Sequence, residues 1–290
     1  MILVTGATGN VGLELTKRFF NRGLPVRALV RDRSRARAIA LPGIELVEGD
    51  FARPDTFARA LDGIDQLFLL MPSSAEVEQR QRNLVDAAKR ARVKHIVKLS
   101  QFGASAAAPG RFQRYHAGVE HYILKSRIPY TFLRPNLFMQ ALLDFRASIS
   151  SEGKFYAPAG NARVSIIDVR DVASVAAAAL TGSEHENQTY ELTGPEALTH
   201  TEMASELSEA FGRTISYVDV PPETMLQTLL DLRVPRWQAE GVIEDYDHYR
   251  RGEAAVVTSA FRDVTQNQPT RFSQFAADYA RQFLGQAAGA

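Results

Sequence analysis

Ile2-Leu3-Val4-Thr5-Gly6-Ala7-Thr8-Gly9-Asn10-Val11-Gly12 decides how the rest of this 290-residue chain is read. Residues 2–5 are apolar or β-branched and make a short buried strand, and the three glycines sit where it turns into the helical run from Leu13 to Phe20. Gly6 permits the tight turn, Gly9 lets backbone approach a pyrophosphate, and Gly12 lets the helix pack close to the strand. The N–H groups that open the helix, around Thr8, Asn10 and Val11, then face the phosphates. Glycines at this spacing also serve ordinary turns. A strand before them and a helix after them make this a dinucleotide-binding turn.

The surrounding composition agrees. With 45% hydrophobic and 23% charged residues the chain can bury a large core, enough for one α/β domain with an elaboration or for one large and one small domain. A net charge of +1 and no long basic run argue against a nucleic-acid partner held by bulk electrostatics. Zero cysteines exclude disulfides, thiolate nucleophiles and thiolate–metal sites, and they fit a reducing compartment. The first strand begins at residue 2, so no signal peptide is expected, and no apolar run reaches membrane-spanning length. The expectation is a soluble cytoplasmic protein with no membrane partner, a monomer or a homodimer.

Strand patterns recur at Val26–Val30, Ile44–Val47, Leu67–Met71, Ile96–Leu99 and Tyr130–Leu133, with helical patterns at 10–22, 54–62, 75–91 and 112–126 between them. Alternation of this kind predicts a doubly wound parallel Rossmann sheet. After Pro135 the rhythm changes. A helix from Leu137 to Ser150 and short strands at 153–156 and 164–167 precede Asp168, a candidate helix cap with Asp171 in the first turn. The reading is a Rossmann domain over 1–182, with 135–163 partly in a smaller lobe, and a mostly helical lobe over 183–290. That lobe holds strands at 190–192 and 215–220, a capping box from Thr199 to Glu202, and helices at 222–232, 235–251 and 270–284. Its last helix is expected to pack back on the Rossmann domain, and Gln286 to Ala290 to fray.

These residues also carry a family likeness. The chain resembles an atypical short-chain dehydrogenase/reductase of the NmrA-like group, which holds NAD(P)H-dependent quinone, azo-dye and triphenylmethane-dye reductases as well as non-catalytic redox-sensing regulators. The likeness rests on the glycine-rich turn, Val30-Arg31-Asp32, Gly49-Asp50, Leu99-Ser100, Leu133-Arg134-Pro135-Asn136 with Phe138-Met139, Asp168 to Ala173, and Leu192 to Leu198. It covers about two thirds of the chain. Classical short-chain dehydrogenases/reductases place a tyrosine, three residues and then a lysine on a helix, with a serine at the preceding strand end. The tyrosine polarises a carbonyl, and the lysine lowers its pKa and holds the ribose. Aligning on Glu120 puts Phe112 at the tyrosine position and His116 at the lysine position, and only Ser100 matches. Carbonyl–alcohol interconversion by that relay is therefore disfavoured. A quinone, azo compound or dye demands less of a protein acid, because positioning and cofactor chemistry carry the step.

The resemblance assigns residues one by one. Val30 stands where NAD-specific members carry an aspartate, and Arg31 offers a guanidinium fork to a 2′-phosphate, so NADP(H) is preferred with NAD(H) still possible. Asp32 is a rival that can turn back to the ribose, and the arginines at 33, 35 and 37 allow Arg31 to be part of a solvated basic face. Asp50 would meet the adenine amino group and Phe51 would wall the base, with a simple helix-capping loop as the other reading. Leu70, Met71 and Pro72 would support the nicotinamide ribose. Ser100 would hydrogen-bond substrate or the carboxamide, or be an ordinary strand-end serine.

His116 is the main candidate catalytic group and would also contact the ribose. Tyr115 is a weaker acid on a neighbouring helix position. Pro135 and Asn136 begin the variable lobe, where Asn136 would orient nicotinamide or substrate and Phe138 with Met139 would form an apolar acceptor pocket. The six histidines show no metal-ligand spacing, so no metal is expected. Two functions stay open: NADPH-dependent hydride transfer to a flat aromatic acceptor, or a non-catalytic NADP(H) sensor acting on a partner protein.

Overall fold

The computed structural model describes residues 1–285. The chain runs β1 (Ile2–Val4), α1 (Asn10–Asn21), β2 (Val26–Val30), β3 (Ile44–Glu48), α2 (Phe57–Leu61), β4 (Gln66–Leu69), α3 (Val77–Arg90), β5 (His95–Leu99), α4 (Arg111–Ser126) and β6 (Tyr130–Pro135). It continues through α5 (Arg146–Glu152), β7 (Lys154–Ala157), β8 (Arg163–Val164), α6 (Val169–Thr181), β9 (Gln188–Leu192), β10 (Leu198–Thr199) and α7 (His200–Phe211). The last elements are β11 (Ser216–Asp219), α8 (Pro222–Asp231), α9 (Arg236–Arg250), α10 (Ala260–Thr265) and α11 (Phe272–Phe283). The expected fraying of Gln286 to Ala290 lies outside the described residues.

Seven parallel strands form one sheet in the order β3-β2-β1-β4-β5-β6-β9. Alternation in β1 explains the two cores. Ile2 and Val4 face α1 and the alanine-rich α6, while Leu3 faces α2, α3 and α4. Strand order reverses between β1 and β4, and the crevice there is where a doubly wound sheet binds its ligand. Thr5 fastens that point: its Oγ1 accepts from Leu70 N at 2.8 Å and donates to Leu70 O at 2.9 Å.

Residues 188–192 correct the expected division at 182. They form the sheet's seventh strand, hydrogen-bonded to β6, because the outer edge of β6 otherwise leaves its N–H and C=O groups unpaired. The lobe instead gathers α5, α7 and α11 with the two-stranded pairs β8–β10 and β7–β11 around Phe155, Leu207, Phe272 and Phe275. α11 packs inside this lobe; Arg170 of α6 ties to it by a 2.6 Å ion pair with Asp278 and by lying over the Tyr279 ring, 5.4 Å from its centroid. The helix expected over 137–150 is 3₁₀ from Met139 to Phe145 and becomes α-helical only in α5. The Asp168 cap and the Thr199–Glu202 capping box both form. α10 carried no recognised signal in the sequence.

Candidate functional site

Two adjoining hollows lie at the switch point. A cleft of about 500 Å³ runs over Gly6, Thr8, Gly9, Asn10 and Val11 to Arg31, Asp50 and Phe51. A pocket of about 260 Å³ continues from it toward α4 and α9. Leu70, Met71, Pro72, Leu99 and Phe138 wall both, so a ligand stretched along the cleft ends beside the pocket.

The cleft fits a dinucleotide on its own geometry. Gly6 has φ +62°, and a Cβ there meets Leu70 Cγ at 2.7 Å. A Cβ on Gly12 would lie 2.2 Å from Gly6 O, so Gly12 is needed for helix–strand contact and does not itself line the cleft. Over Gly9 the space is open, with Gly6 O 3.4 Å away from a built Cβ. The N-terminus of α1 has neither a side-chain cap nor an acidic residue in its first turn, which leaves its N–H groups for an anion.

Asp32 does not line the cleft. Its carboxylate accepts from Ser34 N at 2.8 Å and Ser34 Oγ at 2.7 Å, and that turn draws it away. Arg31 is exposed on the cleft rim without an ion pair among the described residues. Asp50 accepts from Ala52 N at 2.9 Å through one oxygen, so the loop-turn reading of this residue holds while its other oxygen stays free. Arg80 and Ser74 also line the cleft and escaped the sequence reading; Ser74 Oγ is buried without a protein partner among the described residues.

The pocket beyond is built where β5, α4 and α9 meet. Phe112, expected at the position of the classical tyrosine, is buried against Trp237, Tyr115 and Gly241, and a Cβ on Gly241 would lie 2.4 Å from its ring. It does no proton chemistry. Ser100 Oγ donates to Glu120 Oε1 at 2.5 Å, which leaves only its lone pairs for a ligand. Glu120 in turn takes a two-pronged contact from Arg134, at 3.0 Å from Nε and 2.6 Å from Nη2.

Tyr115 faces the pocket rather than away from it. Its ring lies 4.1 Å from that of His116 and its hydroxyl is 2.9 Å from Ser73 Oγ. Burial pushes its pKa upward, which makes it a poor acid. His116 also lines the pocket, and burial and the charges of Lys98 and Arg134 hold it well below the usual histidine value. It is therefore neutral at neutral pH.

Asn136 is placed at the pocket wall, but its amide is already committed. Nδ2 donates to Ser165 Oγ and Ala254 O, both at 2.9 Å, and Oδ1 accepts from Leu137 N at 2.8 Å. It pins the lobe to the sheet instead of reading nicotinamide. Pro135 lines the pocket, not the nucleotide cleft. Met139 is buried in the lobe core, away from both hollows.

Three more residues, in and behind the pocket, were missed. Lys98, the one cation inside β5, is wholly buried and touches His116 Nδ1 at 2.7 Å. Asp245 reaches the pocket from α9 with Gln101 Nε2 at 3.0 Å as its hydrogen-bond partner, and burial pushes its carboxyl up to about 7. His248 stands beside it, its Nδ1 2.6 Å from Glu253. A lysine inside an apolar strand was a readable signal; nothing local marks Asp245 or His248. Among the described residues no cluster of three or more His, Cys, Asp or Glu could hold a metal ion, and no helix is long and apolar enough to cross a membrane.

Comparison with known proteins places this geometry. The chain is 37% identical over 283 residues to an NAD(P)H azoreductase of Xenophilus azovorans, covering 98% of this chain and 99% of that one. The NADPH complex of quinone oxidoreductase QOR2 from Escherichia coli superposes with a TM-score of 0.86 at 26% identity, over 96% of this chain and 99% of the other. The NADP(H) complex of a Citrobacter triphenylmethane reductase gives 0.85 at 28% identity, over 97% of this chain and all (100%) of that one. The NmrA-like family model matches residues 1–269, and the chain belongs to the NmrA-like family.

Proposed function

We propose that the chain is an NAD(P)H-dependent oxidoreductase, with NADPH preferred, that passes hydride to a flat aromatic acceptor such as a quinone or an azo compound. The observation that carries this reading is the second pocket. It opens at the end of the nucleotide cleft, shares its walls, and presents a neutral imidazole beside apolar surface. A protein that only sensed nucleotide would have no use for that space. The reductases to which the chain is similar support the same reading.

The chain's residues divide the work. The open N-terminus of α1 binds pyrophosphate, Arg31 grips the 2′-phosphate, and the free oxygen of Asp50 accepts from the adenine amino group. Leu70, Met71 and Pro72 exclude water and hold the ribose side of the cleft. The lone pairs of Ser100 accept from a carboxamide N–H. Bound NADPH supplies a hydride, that is, two electrons and one proton's mass. The acceptor slides between Met71, Phe102 and Phe138, where orientation does most of the catalytic work. The oxygen or nitrogen that gains negative charge takes a proton from His116 Nε2.

The test is NADPH oxidation with a panel of quinones and azo compounds, run anaerobically, using cofactor deuterated at nicotinamide C4. Turnover with matching loss of the label from the cofactor is expected. Intact NADPH binding with no turnover above the cofactor-only blank would refute the enzyme and favour a sensor.

A further inference from the structure

Lys98 is the least expected group in the sheet. It alternates with Val97 and Leu99 and so points to the α4 side, fully buried, with no carboxylate in ion-pair range among the described residues. Its contacts are Leu99 O at 3.1 Å and His116 Nδ1 at 2.7 Å. A buried cation without a counter-ion is costly to fold, and such groups cluster at functional sites.

Its chemistry fixes the imidazole. An ammonium only donates, so His116 Nδ1 must accept, and a neutral ring with a bare Nδ1 carries its hydrogen on Nε2. Nε2 makes no protein hydrogen bond among the described residues, and His116 lines the acceptor pocket. The Nε2–H is thus the donor offered to the acceptor.

We propose that Lys98 is the proton reserve behind His116 and fixes its tautomer. The inference rests on the reductase reading above. When hydride has reached the acceptor, the Nε2–H bond breaks and its proton joins the new anionic oxygen or nitrogen. A Lys98 N–H bond breaks in concert and its proton moves to His116 Nδ1. Lys98 ends as a neutral amine and His116 as the opposite tautomer, still uncharged. Pocket water then gives one proton to Nε2, leaving hydroxide that passes to the solvent, while Nδ1 gives its proton back to Lys98.

The surroundings suit this traffic. Burial lowers Lys98 to about 7, with Glu120 pulling the other way and Arg134 adding to the fall. His116 lies well below 6.5, so the resting proton is on Lys98. Other charged and titratable groups facing the pair are Glu191 of β9 behind Arg134, Tyr115 on α4, and Asp245 and His248 on α9 across the pocket. α6 presents alanine and valine on the opposite face of β5. Lys98 is a positioning residue, since it acts through His116.

The experiment compares K98M with the wild type on two acceptors. An azo compound needs a proton after hydride addition; a cationic triphenylmethane dye becomes neutral on hydride addition and needs none. K98M should lower the azo rate by at least about tenfold more than the dye rate, a modest share of what a positioned acid contributes. The wild-type azo rate should fall as pH rises through about 7. That inflection should survive D245N, which removes the pocket carboxyl titrating in the same range, and vanish in K98M. ¹⁵N NMR of the wild type without cofactor should show His116 bare at Nδ1 at pH 6, with the tautomers mixing in K98M.

Equal loss on both acceptors, no loss on either, or Nδ1 protonated in the wild type would overturn the relay. If the dye is not a substrate, the azo pH profile decides, and an inflection that persists in K98M overturns it. Should K98M fail to fold, the wild-type and D245N profiles and the NMR still stand as tests. A wild type that binds NADPH and reduces no quinone, azo compound or dye refutes the reductase reading, and the relay falls with it. An active wild type with an indifferent Lys98 refutes the relay alone.

Discussion

Replacing Arg31 with alanine separates nucleotide recognition from folding. The side chain is exposed at the end of β2 with no ion pair among the described residues, so its loss should change stability by less than about 0.5 kcal/mol. Asp32 is held in its own turn by Ser34 and exerts no second pull on the guanidinium. A charge-assisted hydrogen bond contributes about 1.5–3 kcal/mol, and the exposure of Arg31 on the cleft rim puts it in the lower half of that range. At tenfold per ~1.4 kcal/mol, NADPH should bind about 10–40-fold more weakly. NADH, which lacks the 2′-phosphate, should shift less than about twofold by the same accounting. Calorimetric titration of both cofactors, beside thermal melts of the two proteins, measures each quantity. Equal weakening for NADH and NADPH would refute the phosphate grip, as would an unchanged NADPH constant.

Three further substitutions probe the frame around that site. Gly12→Ala sets a Cβ 2.2 Å from Gly6 O with backbone on both sides, so it should destabilise by about 1–3 kcal/mol and lower NADPH affinity. Denaturant melts check the first part, and wild-type stability would sink the close-packing argument. Gly9→Ala meets no contact closer than 3.4 Å and should leave the melt unchanged while weakening the nucleotide, as titration will reveal. Asp245 gives a pH signature. Burial raises its folded pKa to about 7 from an unfolded 3.8, so the folded state binds the extra proton between those values and wild-type stability falls as pH rises through them. D245N should therefore gain on the wild type by roughly 1–3 kcal/mol between pH 4 and pH 8, less than the full shift allows because the carboxyl is not fully enclosed. A gap between the two melts that does not widen with pH would contradict the assignment.

The nucleotide half of the site was legible because its determinants are local. Gly6, Gly9 and Gly12 lie within seven consecutive residues, and each role follows from a turn or a close approach that those residues alone decide. Apolar runs with buried alternation likewise made the parallel sheet readable up to β6. β9 was misassigned because Gln188–Leu192 carries a half-exposed, polar pattern, and its place in the sheet is set by the free edge of β6 more than fifty residues earlier. The acceptor pocket resisted reading for the same reason. α9 meets α4 through Arg111 with Glu240 and Glu244, and through Phe112 on Gly241 and Trp237, all contacts across more than a hundred residues. Asn136 was misread because its sequence neighbours suggest a ligand-facing loop, whereas its partners Ser165 and Ala254 come from elsewhere.

Phe112 and His116, expected where classical short-chain dehydrogenases/reductases carry tyrosine and lysine, are better understood together than one by one. A tyrosine acid needs a nearby ammonium to bring its pKa down, and the two must sit one helical turn apart beside the cofactor. With Phe112 turned into the α4–α9 contact, an ammonium at position 116 would have no phenol to serve and would stand charged at the pocket wall, where an aromatic acceptor must be desolvated. A neutral imidazole there keeps the wall compatible with a flat ring. The cation lies instead behind it, at Lys98 inside the sheet, where Glu120 offsets part of its field and Arg134 opposes its charge. The same arrangement explains why Ser100 is tied to Glu120. Without a tyrosine to share the substrate oxygen, a free hydroxyl would have no fixed orientation, and the Glu120 carboxylate gives it one. The resulting pocket has apolar walls at Leu70, Met71, Leu99 and Phe138, carries the uncharged imidazole of His116 with the hydroxyls of Ser73 and Tyr115, and faces an ionisable carboxyl in Asp245. An acceptor whose charge is spread over a conjugated system fits that distribution; a small aliphatic ketone, whose reduction concentrates charge on one oxygen, does not.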